Sequence, residues 1–512
     1  MRNNKRKLLI AGMLILVLFL LSGCGTAETA SYTSLSDFEN KRIGVTTGSI
    51  QVQQAEERFP DAEILYFATS VDMLNAMKAS RIDGYADAEI LVRYMMGEDP
   101  ELTYIEEKLA DDMKIAAIFP KTEKGQRLCD EYNAFVREIR ASGEYDEILD
   151  IWLGSDESRK TVPDPAGLAG TNGRLRVAVD VTLLPFAYIK DGEPVGIDID
   201  TAVRFCRKYG YALELVSMDF GAILPAITTG KCDLAAGGVA YTAERAESVL
   251  FSEPTYEGGS VIAVLNADAG AGAGFWESIR ISFEKTFLRE SRWKLFLKGI
   301  GNTLLITLLS ALFGTLLGFF AYLLCRKGNS IANKVTGACI WLVQGMPTVV
   351  LLMVLYYVVF SRLDFSALTV AVIGFSLTFG ASMFGMLRGG VKAVDRGQTE
   401  AAYALGYKDR TAFFRIILPQ AAFHFLPDYR GQIIALLKAT AIVGYITVLD
   451  LTKMGDIVRS RTYEAFFPLL AVTFFYFVIA AVLGRIIKGI TFYADPHNRK
   501  PEKILKGVRT HD

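Results

Sequence analysis

Four long uncharged segments in the second half of the chain constrain its fold more than any other feature. They cover residues 299–325, 335–361, 365–387 and 465–484. Each is long enough to cross the hydrocarbon core of a bilayer as a helix. A fifth candidate, about 431–449, contains Lys438 and would be the fourth span in chain order. The sequence therefore predicts an all-α membrane domain of five spans, with Lys438 and the nearby Asp450 as snorkelling or interface residues rather than a proton relay.

The basic residues between these spans predict the orientation of the membrane domain. Arg326, Lys327 and Lys334 follow the first span, a basic stretch at 388–415 follows the third, and another at 485–509 follows the fifth. Five crossings place all three groups on one side, which the positive-inside bias makes cytoplasmic. We therefore expect a multi-pass protein of a cell membrane, with the region before the first span outside and the C-terminus inside.

The residues before the first span are of a different kind. From residue 25 to about 267, short apolar strands alternate with amphipathic stretches, which predicts a soluble α/β region. Buried parallel strands are expected at residues 43–45, 64–67, 114–119, 175–179, 213–216 and 261–265. The mean hydropathy of +0.28 therefore averages two unlike halves. A net charge of -1, from 55 basic and 56 acidic residues, argues against a nucleic-acid-binding protein.

The start of the chain predicts an export signal. Four basic residues within the first seven precede an apolar run at 8–21, which is too short to span a bilayer. The run ends in Leu21-Ser22-Gly23-Cys24, which resembles a bacterial lipobox. We expect residues 1–23 to be a lipoprotein signal peptide and Cys24 to be lipidated; an ordinary signal peptide with a chance cysteine is the alternative.

An Ala- and Gly-rich stretch divides the two halves. Residues 267–274 are predicted to be a linker, and the aromatic and charged residues that alternate at 276–298 predict an interfacial amphipathic helix. We assign 267–297 to this connection, 298–490 to the membrane domain and 491–512 to a cytoplasmic tail.

The loop between the third and fourth spans carries a spaced motif. Its fixed residues are Glu400, Ala401, Ala402, Gly406, Ile416, Leu418 and Pro419. The two alanines begin an apolar helical face, Gly406 permits a sharp turn, and a second short helix at 412–417 is expected to stop before Pro419. The loop resembles the EAA motif of ABC importer permeases at every fixed position. That resemblance implies a helix-turn-helix that inserts into a groove on a separate ATPase subunit.

The surrounding residues resemble permeases of the polar amino-acid uptake type. The matching residues are Asn302, Thr303, Gly314 and Gly318 in span one, with Arg388-Gly389-Gly390 and Arg396-Gly397-Gln398 after span three. The family's usual Arg-Gly-Thr-Pro stands here as Gln344-Gly345-Met346-Pro347, and a glutamate common near the end of span three is replaced around Phe384. The departures leave the transport class intact and the amino-acid selectivity open.

The soluble half resembles a family 3 solute-binding protein with its two lobes in reverse order. Residues 173–266 resemble the first lobe and residues 34–153 the second lobe plus the C-terminal helices. For the first lobe the matching elements are Val179-Asp180, Gly196 to Asp200, Asp219-Phe220, Gly238 to Arg245 and Phe251 to Pro254. For the second lobe they are Arg42 to Ser49, Arg81 to Asp87 and Gly143 to Leu153. The resemblance implies a two-lobed type II periplasmic-binding-protein fold, circularly permuted, with residues 154–172 joining the old termini. Two separate incomplete domains are the alternative.

The same resemblance implies a set of ligand-binding residues. Arg245 and Ser49, the latter in a Thr47-Gly48-Ser49 helix start, would bind the α-carboxylate of an amino acid, with amide groups near Ala240. The Gly238 carbonyl and Asp87 would bind the α-ammonium, with Glu89 as a substitute for Asp87. Asp180 would reach the ligand side chain and Phe220 would pack over it. Asp180 as a local cap and Phe220 as a core residue are the alternatives.

Together these features predict the substrate-binding and permease subunit of an ABC importer for a polar amino acid or a closely related zwitterion. The sequence contains no G-x-x-x-x-G-K-[ST], so we expect ATP hydrolysis on a separate ATPase subunit, present in two copies. With three histidines in the chain, we also expect no catalytic site, cofactor or metal in it. One five-span permease is half of an importer, so a homodimer is expected. A ligand-gated receptor or channel with a binding-protein-like sensor is the alternative. Cys129, Cys206 and Cys232 lie in the soluble half, and their pairing stays open.

Overall fold

A computed structural model describes residues 32–165, 168, 170–266, 275–328, 330–361, 363 and 365–494. The predicted signal peptide, Cys24, the 267–274 linker and the tail beyond 494 lie outside the described residues. The chain divides into two compact units, Met1–Asp111 with Gly258–Gly272 and Asp112–Glu257 with Ala273–Asp512. We call residues 32–111 together with 258–266 lobe 2 and residues 112–257 lobe 1. Residues 275–494 are called the membrane half.

The strands follow the alternation that the sequence predicts. In chain order they are β1 Arg42–Thr46, β2 Glu63–Phe67, β3 Gly84–Ala88, β4 Leu102–Tyr104, β5 Ala110–Pro120, β6 Arg174–Val179, β7 Thr182–Leu183, β8 Ala187–Lys190, β9 Glu193–Val195, β10 Ala212–Ser217, β11 Leu234–Ala240, β12 Val249–Phe251 and β13 Tyr256–Leu265. All six predicted strands are present. The chain passes between the two units within β5 and again within β13.

The helices complete two α/β lobes and a helical membrane half. In the lobes they are α1 Ile50–Arg58, α2 Ser70–Lys78, α3 Glu89–Met96, α4 Glu123–Ala141, α5 Glu144–Leu153, α6 Ile197–Tyr209, α7 Phe220–Thr228 and α8 Ala243–Ser248. In the membrane half they are α9 Phe275–Phe283, α10 Trp293–Cys325, α11 Ser330–Gln344, α12 Thr348–Val354, α13 Ala367–Ala393, α14 Arg396–Ala404, α15 Asp409–Ala412, α16 Leu418–Ala439, α17 Leu451–Thr462 and α18 Phe466–Ala494.

Lobe 2 is a sheet of strands in the order β2-β1-β3-β13, with β4 also paired to β13. Strand β1 runs parallel to β2 and β3, whereas β13 is antiparallel to β3 and β4. The apolar side chains of β1 are wholly buried with Leu35 and Phe38. The prediction that every strand is parallel is therefore wrong for β13, which enters lobe 2 directly from lobe 1 without a crossover helix.

Lobe 1 is built on three parallel strands in the order β10-β6-β11, with β5 antiparallel to β11. The parallel prediction therefore also fails for β5. Helices α4 and α5 belong to this unit, and the Trp152 indole of α5 donates to Asp200 of α6 at 3.0 Å. Cys129, Cys206 and Cys232 are buried free thiols, and burial raises the pKa of Cys206 to about 12.

Within the described residues, three helices of the membrane half are long and apolar enough to cross a membrane, and the number is five if each of two bent helix pairs counts as one span. The single helices are α10, α13 and the Phe466–Gly489 part of α18. The second predicted span is not one helix: α11 and α12 meet at 105° around Gly345-Met346-Pro347. Proline has no amide donor and disfavours a helical residue before it, which ends α11 there.

The connection before the first span also differs from the prediction of one amphipathic helix. Helix α9 ends at Phe283, short turns follow, and Glu290 has a φ of 55°. Helix α10 then begins at Trp293, before the predicted start of the span. The left-handed residue stops helical propagation, so the amphipathic stretch is divided between α9 and the start of α10.

The close packing of α10 on α13 depends on small residues. A Cβ atom on Gly318 would lie 2.4 Å from the Gly380 carbonyl oxygen, and one on Gly314 would lie 2.8 Å from Phe379 Cβ. Such contacts let two membrane helices approach through their backbones.

The loop after α13 forms two helical segments with a turn between them, as the spaced motif predicts. Helix α14 ends at Ala404, and Gly406 has a φ of 80°. The expected stop before Pro419 is wrong: α15 continues through a wide turn at Phe413–Ile417 directly into α16. Pro419, which has no amide donor, lies where the wide turn passes into α16.

Two charged residues near the fourth span have different environments. Lys438 is exposed, as expected for a snorkelling side chain. Asp450 is wholly buried, so the prediction of an interface residue is wrong for it. Its carboxylate caps α17, accepting the amides of Thr452 and Lys453 at 3.0 Å each and the Tyr476 hydroxyl at 3.1 Å.

Candidate ligand-binding edge and coupling loop

The predicted ligand residues of lobe 1 gather at one edge of its sheet. Asp180 directly follows β6, Asp219 and Phe220 follow β10, and Ala240 ends β11. These three strands are parallel, so their carboxyl ends meet at the same edge. In α/β sheets this edge is where ligands bind. We call these residues, with Gly238 and Arg245, the lobe 1 edge.

Asp180 has a structural role that the sequence analysis left open as an alternative. It is buried, and its Oδ1 accepts the Thr182 amide at 3.0 Å and the Thr182 hydroxyl at 2.6 Å. Both bonds end on Oδ1, so neither of them occupies Oδ2. Phe220 is partly buried at the start of α7 and packs against apolar residues of the core. Both residues therefore have local packing roles as well as a position at the edge.

The end of β11 positions a carbonyl and a guanidinium. The β11–β5 register shifts between Ala235 and Val239, and Gly238 within that irregularity has a φ of 67°. A Cβ on Gly238 would lie 2.5 Å from the Leu183 side chain, so only glycine fits this bulge without a shift. Arg245 Nη1 then donates to the Ala240 carbonyl at 2.7 Å.

The Arg245 side chain is held at the start of a short helix. Thr242 is the N-cap of α8 and accepts the Arg245 amide at 3.1 Å. Burial lowers the pKa of the Arg245 guanidinium, which nevertheless stays charged because arginine titrates far above neutrality. A fixed, partly desolvated guanidinium is the group best suited to bind a carboxylate.

A lysine that the sequence analysis did not select reaches the lobe 1 edge. Lys453, in the first turn of α17, donates to Asp219 Oδ1, and it interacts electrostatically with Asp180 as well. The Lys453 residue is only 6% exposed. No sequence signal identified it, because it lies about 230 residues from Asp219 and in the membrane half.

The predicted ammonium-binding residue of lobe 2 is also at a strand end. Asp87 in β3 is 5% exposed, its Oδ1 accepts the Ala88 amide at 2.8 Å, and its Oδ2 has no hydrogen-bond partner among the described residues. Burial raises the pKa of Asp87 to about 6, against the opposing effect of the nearby Ser70 hydroxyl and the Ala88 amide. The alternative, Glu89, is already paired with Arg93 at 2.7 Å and Lys108 at 3.3 Å.

The Thr47-Gly48-Ser49 helix start of lobe 2 differs in detail from the expected carboxylate site. The Thr47 amide and hydroxyl both donate to the Phe67 carbonyl, at 2.9 and 3.1 Å, and the Ser49 amide donates to Thr46 at 3.0 Å. The amides expected to be free at these two residues are therefore occupied. The Ser49 hydroxyl is buried and has no hydrogen-bond partner within the described ranges, which leaves it as the ligand-facing candidate.

The residues of the EAA-like loop form an exposed, partly apolar surface. Glu400 and Ala401 are exposed on α14, and Ala402 is buried beneath them. Leu405 is 77% exposed, and the neighbouring Tyr403 and Tyr407 are exposed too. We call Glu400, Tyr403, Leu405 and Tyr407 the coupling surface. Its apolar side chains are typical of a surface that packs against another protein.

The second half of the motif, Ile416, Leu418 and Pro419, follows this surface in the chain. Ile416 and Leu418 are half-buried in the helix that continues from α15 into α16, whereas Pro419 is exposed. Arg326, just after α10, pairs with Asp409 at 2.6 Å and lies 4.1 Å over the Phe413 ring. The loop is thus anchored to the end of the first span.

An open pocket of about 140 Å³ lies in the membrane half. Hydroxyl and amide side chains of Thr348, Thr378, Ser382 and Gln432 line it together with apolar residues. Thr348 directly follows the break at Pro347, so the departure from the family's Arg-Gly-Thr-Pro sequence borders this pocket. No group of three or more metal-ligating side chains occurs among the residues with described positions.

Two family models match the chain. The model for bacterial extracellular solute-binding proteins, family 3, matches residues 175–404, and the model for the binding-protein-dependent transport system inner membrane component matches residues 314–498. The first match runs past the end of β13 at Leu265 into the membrane half, and the predicted second lobe at 34–153 lies before it.

Curated relatives resemble the membrane half over most of their own length. The probable amino-acid ABC transporter permease protein YckA of Bacillus subtilis is 32% identical over 36% of this chain and 83% of its own length. The L-cystine transport system permease protein TcyL of Bacillus subtilis is 31% identical over 35% and 79%. The arginine ABC transporter permease protein ArtQ of Haemophilus influenzae is 30% identical over 33% and 82%. The chain therefore belongs to the ABC transporter permeases of binding-protein-dependent transport systems, and it joins such a permease to sequence of the family 3 solute-binding proteins.

Proposed function

We propose that this chain is the combined substrate-binding and permease subunit of an ABC importer for a polar amino acid or a closely related small zwitterion. The observation that carries the proposal is the lobe 1 edge on a chain that belongs to the permease family. Arg245 supplies a fixed cation, while Asp180, Asp219 and the Gly238 carbonyl supply negative charge and an acceptor. An amino acid presents the complementary carboxylate and ammonium.

The ligand contacts in lobe 2 are proposals that the geometry refines. Asp87 is preferred over Glu89 for the ammonium because the Glu89 carboxylate already has two cationic partners. Ser49 is preferred over Thr47 because the donors of Thr47 are directed at Phe67. The circular permutation is likewise a proposal, supported by the passage of the chain between the units in β5 and β13.

The energy for transport would come from a separate ATPase subunit. The coupling surface supports this proposal, since a 77% exposed Leu405 beside two exposed tyrosines is costly to leave in water. Two copies of the ATPase and a homodimer of this chain complete the proposed importer. No cofactor or catalytic residue is assigned to the chain itself.

The proposed location is a bacterial cell membrane, crossed several times, with both lobes outside and the C-terminus inside. The five apolar spans and the basic residues that follow the first, third and fifth support it. Lipidation of Cys24 would add a second anchor. No feature of the described residues favours the alternative of a ligand-gated receptor, and a channel has no use for a coupling surface.

Uptake of labelled amino acids by cells that express the chain with its ATPase tests the proposal. Leu405→Asp places a charge in the coupling surface and is expected to reduce uptake at least about tenfold, because burying an unpaired charge costs several kcal/mol. Ligand binding by the purified chain should be unchanged. Leu153→Asp, at an exposed leucine of α5, is the matched control. Normal uptake by Leu405→Asp would count against the proposed function.

A further inference from the structure

The contact between Lys453 and the lobe 1 edge suggests more than structural packing. Lys453 Nζ bonds to Asp219 and is within electrostatic range of Asp180. The side chain of Asp219 is 40% exposed, whereas that of Lys453 is 7% exposed. The lysine has therefore left water for an acidic surface that borders solvent, and its contact with Asp219 offsets part of that desolvation cost.

The membrane half fixes the position of Lys453. Asp450 caps the first turn of α17 through the Lys453 amide, and the Leu451 amide donates to the Thr303 hydroxyl of α10 at 3.1 Å. Asn302 of the same helix donates to the Leu449 carbonyl at 2.8 Å. The base of the lysine is thus held by the first span, and only its flexible side chain extends towards lobe 1.

Helix α17 packs on lobe 1 along its length. Met454 and Ile457 belong to one buried apolar cluster with Val181 and Ala187 of lobe 1. At the far end, Arg461 lies 4.8 Å over the Tyr188 ring. Lys453 and Arg461 are therefore the two cations that α17 contributes to a continuous contact between lobe 1 and the membrane half.

Lys453 is close to three acids: Asp180 and Asp219 of the lobe 1 edge, and Asp456 of α17. Asp180 was expected to reach the ligand side chain, and Asp219 lies beside it at the same sheet edge. An ammonium on a flexible aliphatic chain is also the end group of L-lysine, and a guanidinium is that of L-arginine. Two cations compete for one acidic pair because like charges at contact distance repel.

We propose that Lys453 is an internal competitor for the cationic side chain of a basic amino acid, and that it displaces this ligand from Asp180 and Asp219 when lobe 1 packs on α17. The inference rests on the proposed function and deepens it, since it names basic amino acids as the substrate class. Binding of the ligand and packing of Lys453 then oppose each other, and the effect is reciprocal. Contact with the membrane half thereby promotes release of the ligand.

The test is calorimetric binding of L-lysine, L-arginine and L-glutamine to the purified full chain in nanodiscs. Lys453→Gln should bind the two basic amino acids about tenfold more tightly than the original chain, because the competing cation is gone. L-Glutamine has no side-chain cation, so its affinity should change less than about twofold. Lys453→Arg keeps the charge and should behave like the original chain.

A matched control and a second variant make the test decisive. Lys124→Gln removes the lysine of another lobe 1 pair, Lys124–Asp233, at the opposite end of β11, and should change no affinity. In an Asp219→Asn chain, adding Lys453→Gln should no longer tighten binding, which a general folding defect would not reproduce.

The outcomes separate the two proposals. Unchanged affinity for L-lysine and L-arginine in Lys453→Gln, with binding otherwise intact, overturns the competition and leaves the proposed function standing. Equal tightening for L-glutamine also overturns it, since that result reflects looser packing of lobe 1 alone. If none of the twenty amino acids binds to any variant, the proposed function itself fails.

Discussion

The two lobes present aspartates at the ends of strands, yet the surroundings give these acids different properties. In lobe 1, Asp219 is paired with Lys453 and Asp180 uses one oxygen in a local turn. In lobe 2, Asp87 is buried with one oxygen unpaired, and burial raises its pKa to about 6. Asp219 of lobe 1 is thus paired with a cation of the protein itself, Lys453. Asp87 of lobe 2 is a desolvated acid that a ligand ammonium would stabilise.

Loss of Arg245 should give the largest effect, because it removes the cation proposed to bind the ligand carboxylate. Arg245→Ala is expected to weaken amino-acid binding by a factor of about 100 or more, since a charge-assisted bidentate contact is lost. Calorimetry on the full chain measures it. Arg137→Ala, at an exposed arginine of α4 that pairs with Glu253, is the control and should bind normally. Binding that survives in Arg245→Ala would refute the assignment of the lobe 1 edge.

Asp87→Asn tests whether the charged carboxylate of lobe 2 binds the ligand ammonium. A ligand ammonium needs the charged carboxylate, so affinity should rise as the pH rises through about 6 and level off above it. Asp87→Asn should remove this dependence and weaken binding about tenfold at pH 7.5. Glu89→Gln should retain both the affinity and the pH profile. A flat profile in the original chain would show that Asp87 does not bind the ammonium in its charged form.

The same substitution should stabilise lobe 2. When the pKa of an acid is higher in the folded than in the unfolded protein, the free energy of unfolding falls as the pH rises towards the folded pKa. At pH 7 the charged form of Asp87 therefore costs up to about 3 kcal/mol, which the neutral amide of Asp87→Asn avoids. Thermal unfolding at pH 7 should shift upward in this variant, although its ligand affinity falls.

Asp219→Asn in lobe 1 should have the smaller and opposite effect on stability. It leaves Lys453 buried with a weaker partner, so the unfolding temperature should fall, by an amount equivalent to about 1 kcal/mol after allowance for the exposure of Asp219. Asp219 makes no side-chain cap on α7, so the helix itself is unaffected. Thermal unfolding of the two variants side by side checks the sign, and a rise in both would break the comparison.

Local patterns predicted much of this architecture. The apolar runs predicted five spans, and the alternation of short strands predicted the α/β lobes, because burial and periodicity are local properties of the chain. The turn at Gly406 was predictable since its φ of 80° suits glycine. The break at Pro347 was not predicted, although the proline signals it, because hydropathy alone does not report a bend.

The properties missed by the sequence analysis depend on contacts between distant residues. The position of Asp450 just after a span predicts a charge at the membrane interface. In the fold its carboxylate is instead a buried cap that accepts two amides of α17 and the Tyr476 hydroxyl. No local pattern distinguishes Lys453 from the other lysines of the chain, because its contact with Asp219 forms only in the folded protein. The directions of β5 and β13 follow from the passage between the units, which no local pattern encodes.

The central claim is that ligand binding and membrane passage belong to one polypeptide. Its most direct test is ATP-dependent uptake of labelled amino acids into proteoliposomes that contain only this chain and its ATPase. We predict uptake of at least one amino acid without any added binding protein, and loss of that uptake in Arg245→Ala. No uptake under these conditions, with restoration by a separate binding protein, would contradict the claim.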